Sequence, residues 1–154
     1  MCLNAFLIVR SPVDPERALV GRPSPDPRWE EVGALDPVRI QRLGDRWMLP
    51  SSQLLLLEGP EEAARRVGSE QLGMELGPLP PPRVVSDTYP LRGPADGDLH
   101  WDLHFIYSVS GPPLPPRYPL WRDLEYVPVR STPRAAFGRG HGDILELVGL
   151  TPEG

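Results

Sequence analysis

His100, Asp102 and His104 alternate along one apolar segment. A β-strand has a side-chain period of two, so it would put all three on one face and Trp101, Leu103 and Phe105 on the other. Two imidazoles and a carboxylate make a donor set suited to Zn²⁺ or another transition metal. The plainer reading is a polar face turned to a cleft or to solvent, because strand neighbours two apart splay and need a third element to converge. In His141-Gly142-Asp143, with Glu146 one turn on, Asp143 or Glu146 could serve as a base, although Asp143 also fits as an acid in the first turn of a helix. Trp29, Trp47 and Trp121 have faces on which a nucleobase could stack; the plainer reading of each is core or loop packing. No Ser/His/Asp spacing signals a nucleophilic triad, and no glycine run forms a phosphate-binding loop.

These residues need elements to hold them. Residues 99–108 are rich in strong β-formers and read as the strand beneath the histidines. Residues 3–9 form a short apolar run closed by Ser11-Pro12, which reads as a buried strand, and Ala18-Leu19-Val20 as the returning arm of a hairpin. Residues 84–89 and 124–129 are further strand candidates, with 91–98 a loop and 141–150 a closing helix. The clearest helix is 60–72. Pro60 suits a first turn, where its missing N–H would have had no partner. Glu61 and Glu62 sit where the helix dipole favours negative charge, Glu62 and Arg66 are a favourable i,i+4 pair, and Gly73 supplies the stop. Gly68, mid-helix, costs about 1 kcal/mol against alanine and points to close packing there.

Around that helix the chain reads Trp47-Met48-Leu49-Pro50-Ser51-Ser52, five residues, Glu58, seven residues, then Arg66-Val67-Gly68-Ser69-Glu70-Gln71-Leu72-Gly73-Met74. This resembles the box of the Nudix (MutT-like) hydrolases, G-x5-E-x7-R-E-U-x-E-E-x-G-U with U bulky and apolar, often preceded by Trp-x-Leu-Pro-Gly-Gly. The resemblance implies an α/β fold: a single-domain Nudix-type α/β/α sandwich around a mixed sheet. It also implies Mg²⁺, or Mn²⁺, and a nucleotide or other diphosphate as ligand. The box at residues 52–74 is degenerate. Ser51 and Ser52 replace two glycines, Val67 a glutamate, Gly68 an apolar residue and Gln71 a second glutamate. Carried over, Glu70 becomes the remaining helix metal ligand and candidate catalytic group, Glu58 an auxiliary ligand, and Arg66 a support that braces the loop with Glu58. Gln71, His100, Asp102 and His104 become candidate substrate contacts. Positions 67, 70 and 71 share a helix face. With one carboxylate, one amide and one valine there, metal binding is expected to be weak and hydrolysis slow or lost. Val67→Glu with Gln71→Glu is expected to restore activity. The alternative is an active Mg²⁺-dependent hydrolase that uses Glu70 with carboxylates outside the helix.

The chain has 154 residues, the size of one domain, and 22 prolines gathered mostly in loops, notably residues 22–46 and 111–119. Residues 22–46 read as an irregular insertion with a short helix near 37–43. The formal net charge is −5 and every one of the 16 basic residues is arginine, a balance that disfavours nucleic acid as main partner. The single cysteine, Cys2, excludes an internal disulfide. No apolar run approaches a membrane span and no signal peptide is legible, so a cytoplasmic protein is expected. A homodimer is left open.

Overall fold

The computed structural model describes the backbone of residues 1–90 and 99–154 and the side chains of 1–88 and 101–154; the loop expected at 91–98 lies outside these. The hairpin expected near the start is present, as β1 (Cys2–Arg10) and β2 (Arg17–Pro23). Ser11 shapes its turn, its hydroxyl accepting from the N–H groups of Val13 and Asp14. β3 (Ser51–Gln53) pairs antiparallel with β1. β4 (Arg83–Pro90), β5 (Leu99–Ser110) and β6 (Trp121–Pro128) complete a mixed sheet of order β4-β5-β1-β2-β6. β5 runs parallel to β1 over nine registered pairs, and the other pairings are antiparallel.

Alternation along β1 sends Leu7 and Val9 to one side of the sheet and Phe6 and Ile8 to the other. The first side is covered by α3 (Pro60–Leu72), the second by α4 (His141–Glu146), which gives the α/β/α sandwich. α3 has the bounds expected from sequence. Gly73 adopts the left-handed conformation (φ 63°), so its N–H reaches Ser69 O and that of Met74 reaches Gly68 O, closing the helix end. The chain then folds back, and a Cβ on Gly68 would lie 2.7 Å from Leu76 Cδ1, which is the close packing that glycine permits. α4 is shorter than the expected 141–150: after Glu146 the backbone tightens into single turns, and Gly149 (φ 84°) ends them.

Residues 22–46 depart most from expectation. They hold α2 (Pro37–Leu43), capped by Asp36 and close to the helix expected, and also α1 (Trp29–Val32). They are not a loose insertion, because Trp29 and Leu35 are completely buried and Leu43 nearly so, packed into the α3 side of the core. No helix among the described residues is long and apolar enough to cross a membrane.

Candidate functional site

The box segment divides into a brace and a sealed arc. In the brace, Arg66 donates from Nε to Glu58 Oε2 (2.7 Å) and from Nη2 to Glu58 Oε1 (3.1 Å), a bidentate pair with side chains only 13% and 11% exposed. Arg66 Nη2 also donates to Gln53 O (2.9 Å), and Glu58 Oε1 accepts from Leu55 N–H (3.0 Å). These bonds clamp the end of β3, the loop after it and α3. Burial pushes the Glu58 carboxyl up, but the Arg66 guanidinium and the Leu55 N–H outweigh it and hold the group below its ordinary value. The clamped loop presents Leu56 and Leu57 almost fully to solvent, with Leu57 at φ 66°. Glu70 is half-exposed and lies 3.5 Å from Arg66 Nη1.

Val67 and Gln71 form the sealed arc, and neither is exposed at all. Gln71 Nε2 donates to Val32 O (2.8 Å) and to Ser51 O (2.7 Å), bonds only an amide nitrogen can make, so the orientation of the side chain is fixed. Its Oε1 is buried with no hydrogen-bond partner among the described residues. Its backbone oxygen accepts from Trp121 Nε1 (2.7 Å), and Trp29 Nε1 donates to Leu120 O (2.8 Å). The two indoles meet edge to face, 4.8 Å apart at 82°. Gly33 closes the junction, since a Cβ there would lie 2.8 Å from the Trp29 ring and 3.3 Å from Gln71 Nε2. The end of α1 is therefore seated on α3. Gln71, expected to contact substrate, is instead a buried tie between the insertion, β3 and the helix. The expected shared face of 67, 70 and 71 is split, because Val67 and Gln71 are fully buried while Glu70 is half-exposed.

Mg²⁺ needs oxygen donors around an open position, usually one or two carboxylates with waters and substrate oxygens. Along this arc Val67 has no donor, Gln71 turns its N–H groups to carbonyls, and Glu58 is engaged by Arg66. The arc itself therefore offers no donor set for a resident metal, and of the box carboxylates Glu58 and Glu70 only Glu70 is half-exposed. Among the described residues no group of three or more His, Cys, Asp or Glu could hold one.

Asp102 and His104 share a face, as their spacing predicts, but it is the α4 face, across the sheet from Glu58, Arg66, Glu70 and Gln71. The His104 ring meets Phe6 edge to face at 5.3 Å, and Asn4 Nδ2 lies 3.3 Å from His104 Nδ1. Burial pushes His104 below its ordinary pKa, although Asp102 and Asp87 pull the other way. Asp102 is buried opposite Cys2, whose thiol is pushed up first by burial and then by Asp102. The side chain of His100 lies outside the described residues. Sequence reasoning missed His141, which is buried on the same face as His104 and accepts from Leu49 N–H at Nδ1 (2.8 Å). Burial, followed by Arg139 and His104, pushes it well below its ordinary value. Asp143 and Glu146, the candidate bases, both pair with Arg134. The three tryptophans considered for stacking are all buried, and Arg22 lies over the Trp47 ring at 3.6 Å.

No protein-family model and no curated protein matches the chain. Solved structures do match. A MutT NUDIX hydrolase from Burkholderia pseudomallei aligns at TM-score 0.60 and 19% identity over 96% of this chain and 97% of its own. The NUDIX domain of Shewanella oneidensis NrtR, complexed with ADP ribose, aligns at 0.57 and 14% over 97% and 86%. The C. elegans Ap4A hydrolase, as a binary complex, aligns at 0.55 and 12% over 97% and 94%. At these identities the likeness is one of fold, and the chain has the Nudix fold.

Proposed function

We propose that this Nudix-fold chain is a cytoplasmic module that binds a nucleoside-diphosphate-type ligand without hydrolysing it. The observation that carries the reading is the sealed arc. Two of the three helix positions where the box pattern has glutamates are Val67 and Gln71, both fully buried, and the amide of Gln71 is committed to two carbonyls. A catalytic metal would have to displace packed core. The ligand class rests on the resemblance and on neighbours whose names include ADP ribose and Ap4A. A groove of about 250 Å³ on the outer side of α3, lined by Arg65, Arg66 and Ser69 together with Glu62, Glu75 and Leu76, is the proposed place for a diphosphate. Guanidinium groups suit phosphate oxygens.

The test is a panel of nucleoside diphosphate derivatives with Mg²⁺ and with Mn²⁺, reading phosphate release and thermal shift together. We expect at least one compound to raise the melting temperature with no metal-dependent release. Robust turnover that Glu70→Gln abolishes would overturn the reading and establish Glu70 as the working carboxylate of a hydrolase.

A further inference from the structure

β4 is an edge of the sheet. Its inner side is laddered to β5 from Arg83↔Ile106 to Pro90↔Leu99, and no other described strand lies beyond it. An open edge carries backbone donors and acceptors that will template another strand unless something guards them. Charged side chains are a common guard, and here they are Arg83 and Asp87, both exposed and each two residues from Val85. Alternation puts Arg83, Val85 and Asp87 on one face of the strand and Val84, Ser86 and Thr88 on the other. Pro82 and Pro90 bound the segment and lack the N–H needed to extend a ladder.

We propose that β4 pairs antiparallel with β4 of a second copy of this chain, about a two-fold axis at Val85, joining the two sheets into one. In that register Val85 opposes its own counterpart and Val84 opposes Ser86. Arg83 of each copy then opposes Asp87 of the other, so two opposite-charge pairs form by symmetry. Sliding the axis by one residue destroys this: centred on Val84, Arg83 faces Val85, and centred on Ser86, Asp87 faces Val85. The guard against foreign strands is thus self-complementary in one register only. Asp87 stands opposite Asp102 on β5, and like charges directly opposed are unfavourable, so a cation arriving beside Asp87 is doubly placed. On the other face Val84, 50% exposed, gains cover from the incoming strand and lies diagonal to its counterpart.

Sedimentation equilibrium tests this with four samples. The wild type should show a monomer–dimer equilibrium that weakens as salt rises. Asp87→Arg places two arginines opposite two arginines, and Arg83→Asp does the same with aspartates. Each single variant should raise the dissociation constant about tenfold or more. An equimolar mixture of the two single variants should associate again, because each then meets the charges it lacks. Both positions are exposed, and circular dichroism serves to confirm that the variants fold. A wild type that is monomeric at every concentration and salt overturns the proposal. So does a mixture that associates no better than its components, or a pair of variants that dimerise as well as the wild type.

Discussion

On each face of the sheet a buried polar side chain ties down a neighbouring backbone, and the two compared differ in kind. On the α3 face the tie is the amide of Gln71, holding Val32 and Ser51; on the α4 face it is the imidazole of His141, holding Leu49. An amide keeps its donors at every accessible pH. An imidazole gives up its acceptor when it is protonated. Of these two ties, the one on the face that carries the box outline is therefore insensitive to pH, and the one on the other face can change state.

The largest expected effect would break the α3 tie. Val67→Glu with Gln71→Glu puts two carboxylates into packed core and turns one of them toward the carbonyls of Val32 and Ser51. The loss should be on the order of 5 kcal/mol, comparable with the whole stability of many domains. This replaces the sequence-based expectation that the double change restores hydrolysis. Denaturant unfolding and phosphate release decide between them, and a folded, metal-dependent, active double variant would show that the arc opens.

A smaller effect tests the α4 tie. The pKa of His141 is depressed in the folded state, so the unfolded chain takes up the proton first. The resulting stability is fully present above the unfolded value near 6.5 and is lost as pH falls below it. The loss should be about 1 kcal/mol between pH 6.5 and 5.5, with His104 adding to it in the same direction. In His141→Gln, whose amide oxygen can still accept from Leu49, the urea midpoint should vary less over this range. An unchanged pH dependence would assign the effect elsewhere.

The smallest expected effect lies outside both ties. Glu70 is half-exposed and its ion pair is with Arg66, at 3.5 Å, so Glu70→Gln should change stability by no more than about 0.5 kcal/mol. Calorimetry with Mg²⁺ should give the same weak signal before and after. Tight binding lost in the variant would mean that this carboxylate works with donors beyond the arc.

Local signals made much of the fold legible. The limits of α3, the hairpin and the burial of β1 all follow from periodicity and from proline and glycine punctuation. Gly68 announced its own close contact. What the sequence withheld was long-range placement. Proline density made residues 22–46 look loose, although Trp29, Leu35 and Leu43 carried the apolar bulk of a packed segment. The repeat of Ala63, Val67 and Gln71 at four-residue steps marked a core-facing stripe, but the pattern of the box drew the reading toward ligands. Alternation put Asp102 and His104 correctly on one face and could not say which helix that face meets.

The perpendicular Trp29–Trp121 pair has an optical consequence. Two indoles this close couple their electronic transitions, and the sign and size of the resulting near-ultraviolet circular dichroism depend on their mutual angle. One ring rides on the insertion. The other is anchored to α3 through its bond to Gln71 O. If the insertion lifts while the sheet stays folded, the coupled signal should vanish before the far-ultraviolet signal changes. The chain thus carries, without any added dye, its own gauge of whether the box helix is covered.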